Sequence, residues 1–223
     1  MTKKRGILVG LLLIPVALIV GLWASPGFQF ITGGALVNMG YRMQDHIHAF
    51  DLQHEHDLSP DEIWSELQRQ NELSASVRDA FPRSAEHPLV ALLVCMDARI
   101  DTNELVGDTR RYYYIVRTAG SALAEPEQEM LELAVINGVK VIVLTSHSDC
   151  AAEGAAADPE LRERFPAVVS LVDQRETRIR EFMARPIIRE ALDSGRLRIE
   201  RARIDTLTDR LEPEPGPTPN AGS

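Results

Sequence analysis

Two short clusters in this 223-residue chain combine residue types that hold metal ions: Cys95-Met96-Asp97-Ala98-Arg99 and His147-Ser148-Asp149-Cys150. Two thiolates and one imidazole give zinc three protein ligands, which leaves a tetrahedral ion one position open to water or substrate. A purely structural site would take a fourth cysteine or histidine. Cys95 and Cys150 are the only two cysteines, and His87 precedes the strand that Cys95 ends, so Asp97 is the remaining candidate for that position. A Cys95–Cys150 disulfide is the competing reading, and either cysteine alone would pass for a small buried hydrophobe. The convergence of two cysteines, a histidine, an aspartate and an arginine favours zinc.

The clusters work together only if the chain sets them side by side, and the elements around them do so. LVALLVC, from Leu89 to Cys95, is continuously apolar and reads as a strand buried on both faces; VKVIVLT, from Val139 to Thr145, reads the same way. YYYIVR from Tyr112 to Arg117 and the alternating LRIERARI from Leu197 to Ile204 are two more strands. A helix is expected from Pro126 to Asn137, with proline at its start and Gly138 past its end, and a long helical tract from Pro159 to Leu192. Strands alternating with helices predict an α/β fold with a mainly parallel sheet flanked by helices. Both clusters then lie where strands open into loops at the edge such sheets use for ligands. The folded unit begins near Ser59, where Ser59-Pro60-Asp61-Glu62 offers an N-cap, a proline at the first helical position and a capping-box glutamate; a helix from Pro60 to about Gln70 should follow.

Composition narrows the partners. With 24 Lys+Arg against 33 Asp+Glu the net charge is −9, which excludes a general nucleic-acid binder, and two cysteines exclude a disulfide scaffold. Lys3-Lys4-Arg5 precede an uncharged run of eighteen residues, Gly6 to Trp23, long enough to span a bilayer. The run is longer than the usual signal-peptide core, and Leu22-Trp23-Ala24 is a poor cleavage site. It therefore reads as an N-terminal membrane helix with the basic cluster inside and the rest of the chain extracytoplasmic, or secreted if the segment is cleaved. His46, His48, His54 and His56 crowd the stretch that follows. Their spacing matches no fixed ligand set, so a solvated stalk is preferred to a metal-collecting tract. The expected layout is 1–24 anchor or signal segment, 25–58 His-containing stalk, 59–211 folded domain and 212–223 disordered tail.

Jointly, the motifs resemble those of the β-class carbonic anhydrases: C-x-D-x-R after a first strand, R-N-A-G after a second, G-H-x-x-C-G after a third. Here they stand as Cys95 to Arg99, Arg117-Thr118-Ala119-Gly120, and Ser146-His147-Ser148-Asp149-Cys150-Ala151. Glu129 to Cys150 and Arg185 to Leu211 are similar to that family as well, so the likeness spans roughly Leu89 to Leu211. The resemblance implies one Zn2+ per chain on Cys95, His147 and Cys150, a catalytic dyad of Asp97 with Arg99, CO2 and bicarbonate as substrates, and a homodimer. Asp97 would either pair with Arg99 or turn onto the metal and close it. Thr118 departs from the family's Asn, and Ser146 and Ala151 from its two glycines. The departures bear on rate rather than on metal binding; Ala151 would be costly if its position needs φ > 0. A hydrolase of CS2 or COS on the same fold, and a zinc-binding homologue with impaired catalysis, are the alternatives.

Overall fold

The computed structural model describes residues 21, 24–45, 59–81, 87–110 and 112–214. They fall into two compact units, Met1–Arg83 and Ser84–Ser223.

The first unit is helical. Helix α1 spans Pro26–Asp45 and α2 spans Pro60–Ala80. The stalk expected over 25–58 thus opens with a regular helix; Gly33-Gly34 does not break it, because a glycine costs a helix only about 1 kcal/mol and no proline follows Pro26 in this stretch. Helix α2 begins as expected. The Ser59 hydroxyl accepts the Glu62 N–H at 3.3 Å, and the Glu62 carboxylate accepts the Ser59 N–H at 2.8 Å. It runs on to Ala80 rather than ending near Gln70, since Asn71 to Ala80 contains neither glycine nor proline to stop it. The anchor expected over 1–24 lies, but for Gly21 and Ala24, outside the described residues, as do the four clustered histidines. Among the described residues no helix is long and apolar enough to cross a membrane.

The second unit is a five-stranded sheet of β1 (Val90–Cys95), β2 (Tyr113–Thr118), β3 (Val141–His147), β4 (Arg198–Asp205) and β5 (Arg210–Pro213), in the order β2-β1-β3-β4-β5. The first four are parallel and β5 returns antiparallel to β4. Alternate residues of β1 feed two cores, as the period of a strand requires. Ala91 and Leu93 pack with Leu131, Ile142, Phe182 and Ile188. Leu92 and Val94 pack with Ile100, Ile204, Cys95 and Cys150. The first core lies under α4 (Glu125–Ile136), α8 (Arg175–Ala184) and α9 (Pro186–Asp193).

Four details differ from expectation. The tract from Pro159 to Leu192 is divided into α6 (Pro159–Arg164), α7 (Pro166–Asp173), α8 and α9, because Pro166 and Pro186 each start a new helix. Short helices α3 (Thr102–Val106) and α5 (Ala151–Ala157) follow the two ligand-type clusters. Strand β3 extends to His147, whose Cα partner on β4 is Ile204. The domain also continues past 211: β5 ends at Pro213, and the Glu214 N–H donates to the Arg201 carbonyl at 2.9 Å. Residues 215–223 of the expected tail lie outside the described residues.

Candidate metal centre

Strand β1 delivers Cys95 as its last residue and β3 delivers His147 as its own. Their parallel register, with Leu93 opposite Leu144, brings both to one edge of the sheet. Beyond His147 the chain turns through Asp149, whose φ of 55° is left-handed, and Cys150 becomes the residue preceding α5. Aspartate is among the few non-glycine residues that adopt this conformation readily. As a result the two thiols and the imidazole bring their ligand atoms within 4.8 Å of one another. All three residues are buried, Cys95 at 5%, His147 at 3% and Cys150 at 6% exposure.

The chemistry of this triad is that of an unsatisfied donor set. His147 Nδ1 lies 2.8 Å from the Ser148 carbonyl, which can only accept, so Nδ1 carries the proton and Nε2 keeps its lone pair. Nε2 is buried with no hydrogen-bond partner. A buried nitrogen left without a partner costs about 1–3 kcal/mol unless something else takes the lone pair. Burial pushes the Cys150 thiol up, against the pull of the Glu153 and Ala152 N–H groups, and the neighbouring Cys95 adds to the rise. Both cysteines are free thiols. Two thiols and an imidazole lone pair converging in a buried site fit a soft divalent cation such as zinc.

Asp97 lies outside the triad. Its carboxylate accepts from Arg99 Nε at 3.0 Å and Nη2 at 2.8 Å, and from the Arg99 backbone N–H at 3.0 Å. The guanidinium holds the Asp97 carboxyl well below the usual carboxylate range. The side chain of Asp97 is 15% exposed against 48% for Arg99, so the acid is the covered partner of the pair. Of the two placements open to Asp97, the structure shows the one on arginine. Arg99 Nη2 also donates to the Asp149 carbonyl at 3.1 Å, tying the first cluster to the second.

Residues 90–184 match the family model described as carbonic anhydrase. Over that stretch the folded domain is similar to the carbonic anhydrase family. Solved structures of β-carbonic anhydrases share its fold. The β-carbonic anhydrase CcaA aligns with a TM-score of 0.54 at 20% identity over 68% of this chain and 85% of its own. The β-carbonic anhydrase CafA of Aspergillus fumigatus aligns at 0.53 and 19% identity, covering 70% of this chain and 93% of its own. A tetrameric β-carbonic anhydrase of Sordaria macrospora aligns at 0.50 and 20%, covering 69% and 96%. Comparison with curated proteins finds no match.

Within this β-carbonic-anhydrase-like fold the departures from the family motifs can each be placed. Thr118 donates its hydroxyl to the Ala122 carbonyl at 2.8 Å, closing the turn over Ala119–Ser121. Ala151 carries none of the expected backbone cost: it opens α5 without a positive φ, the left-handed position being Asp149. Ser146 donates to a Glu214 carboxylate oxygen at 2.7 Å. Gly120 does need to be glycine. Its φ is 59°, and a Cβ there would stand 3.1 Å from the Ala152 Cβ and 3.3 Å from Arg175 Nη2.

Several supporting residues were not visible in the sequence. Arg175 donates to the Gly120 carbonyl at 2.6 Å and to Glu153 at 2.7 Å, fastening α8 to the turn and to α5. It sits in the charged run from Gln174 to Arg180, where nothing marks one arginine from its neighbours. Glu214 lies in a proline-rich tail that reads as unfolded. Arg117, which was visible in the second motif, donates to the Ile100 carbonyl at 2.7 Å and so holds the loop after Arg99.

Proposed function

We propose that the chain catalyses the reversible hydration of CO2 to bicarbonate, with one zinc ion held by Cys95, His147 and Cys150. The observation that carries this reading is the engagement of Asp97 with Arg99, which leaves a donor set of three rather than four. Zinc in such a site supplies the Lewis acidity that ionises water near neutral pH. The chain's own residues do the rest. Arg99 keeps Asp97 ionised, and an ionised carboxylate can only accept. Asp97 therefore accepts the proton of the attacking oxygen species in a hydrogen bond and turns its lone pair toward the carbon of CO2.

The setting belongs to the same reading. The Lys3-Lys4-Arg5 cluster before the eighteen apolar residues from Gly6 to Trp23 supports a membrane tether with the catalytic domain on the extracytoplasmic, periplasmic side. A homodimer is carried over from the family resemblance.

The test is stopped-flow CO2 hydration on zinc-loaded protein, with elemental analysis alongside. The parent should hold about one zinc per chain and hydrate CO2. Asp97→Asn should keep the zinc and lose most of the activity, because a neutral amide cannot accept the orienting bond with a full charge. An Asp97→Asn protein as fast as the parent would make the dyad structural. A zinc-loaded parent that turned over CS2 or COS but not CO2 would overturn the substrate.

A further inference from the structure

His147 is flanked by two serines, and the C-terminal hairpin of β4 and β5 grips both. On one side Ser146 donates its hydroxyl to Glu214 at 2.7 Å, and Glu214 is itself pinned to β4 by its N–H on the Arg201 carbonyl at 2.9 Å. On the other, the Ser148 N–H donates to the Ile204 carbonyl at 3.1 Å, continuing the β3–β4 ladder beyond its last pair. Where the ladder ends, side chains take over. The Ser148 hydroxyl accepts the Thr206 N–H at 3.1 Å and shares a hydrogen bond with the Thr206 hydroxyl at 2.9 Å.

These contacts matter because the Ser148 carbonyl sets the His147 tautomer and ring direction. That carbonyl takes the Nδ1 proton at 2.8 Å and leaves Nε2 buried and bare. A serine anchored at its N–H, at its hydroxyl and through its preceding residue has its Cα fixed in place, which limits how far its carbonyl can move from the imidazole. Groups that orient a metal-binding histidine in this way tune metal affinity without touching the metal.

We propose that the β4–β5 hairpin is a positioning device for His147, with Thr206 and Glu214 as positioning residues that set the imidazole through Ser148 and Ser146. The inference rests on the zinc reading given above. It accounts for Ser146, which otherwise stands as a mere departure from the family's glycine, and for the folding of the chain through Glu214. It also makes metal retention depend on residues about sixty positions away in sequence, which belong to none of the metal-site motifs.

The experiment measures zinc release from the full chain to a chromophoric chelator, together with the absorption spectrum of the cobalt(II) form and the melting temperature of the metal-free form. Thr206→Val and Ser146→Ala should each speed release several-fold and alter the cobalt spectrum, and the pair should speed it about tenfold or more. Thr206→Ser, which restores a hydroxyl, should return to the parental rate. Glu212→Gln, an exposed change on the same hairpin, should leave release unchanged. Parental release rates in Thr206→Val and Ser146→Ala, with or without a drop in metal-free melting temperature, would overturn the inference and leave the zinc reading intact. Acceleration by Glu212→Gln equal to that by Thr206→Val would overturn it too, as general loosening. A parent that took up no metal would overturn both readings at once.

Discussion

Strand β1 buries every residue from Ala91 to Cys95, whereas the twenty-one residues of α2 bury none. Trp64, Leu67, Leu73 and Val77 of α2 remain exposed. The helix is specified by its own ends: a capping box, a proline at N1 and an uninterrupted run of helix-compatible residues. The strand is specified by what surrounds it. Apolar residues on both faces are stable as a strand only between two layers, and β1 obtains them from the α4, α8 and α9 face and from the Ile100 and Ile204 face. Local signals thus suffice to place a helix, while the site at the end of β1 depends on the whole domain around it.

The sharpest way to break this contrast is at Cys95. Cys95→Ser should reduce bound zinc from about one per chain to none and lower the melting temperature of the sheet domain, since metal binding and folding are coupled. Amide exchange in α2 should not change. Hydrogen exchange with mass spectrometry reads both regions in one experiment, and a Cys95→Ser protein that kept its zinc would refute the assignment.

Next in size is Phe182, fully buried on α8 against the sheet. Phe182→Ala should cost about 3–5 kcal/mol in urea unfolding of the sheet domain, the usual loss for a large aromatic in a packed core. Leu67→Ala on α2 removes an exposed side chain and should shift the same transition by about 0.5 kcal/mol at most. Equal effects would mean that α2 is covered in solution.

Gly120→Ala should be intermediate, about 1–3 kcal/mol, combining a left-handed backbone with the crowding against Ala152. Its zinc content should stay near one per chain, which separates damage to the supporting turn from damage to the metal triad.

The smallest effect is at the start of α2. Ser59 lowers the Glu62 carboxyl below its ordinary value by hydrogen bonding to it. A folded-state pKa that is depressed contributes stability above the unfolded value, about 4.3, and loses it as pH falls through the folded one. Acidification from pH 6 to 3, or Ser59→Ala at pH 6, should therefore fray the first turn of α2, seen as several-fold faster exchange of its amides after correction for intrinsic rates. The triad should not respond to Ser59→Ala.

The parts of the molecule that were legible in sequence follow the same division. The four parallel strands showed in their apolar runs or, for β4, in its alternation, the start of α2 in its cap, and Cys95, Asp97, Arg99, His147 and Cys150 in their spacing. The far end of α2 did not show, because nothing positive marks a helix that simply continues. Strand β5 was hidden by composition: Pro213 and Glu214 stand in a run whose prolines argue for disorder, and only pairing with β4 gives them a place. Residues such as Arg175 and Thr206 act on groups tens of positions away. No local pattern encodes such a contact, so it emerges only when the sheet is assembled.

Arg99 meets the Asp97 carboxylate with Nε and Nη2 and reaches the Asp149 carbonyl with that same Nη2. The gap between the loop that carries Cys95 and the loop that carries Cys150 is thereby spanned by one flat, covalently rigid group. Packed aliphatic side chains in that position could slip past one another through many nearly equal arrangements, and the distance between the sulfurs would vary with them. A guanidinium permits few. Lysine would preserve the positive charge but not the fork, so Arg99→Lys would leave the field at Asp97 similar in sign while removing the rigid bridge from Asp97 to the Asp149 carbonyl.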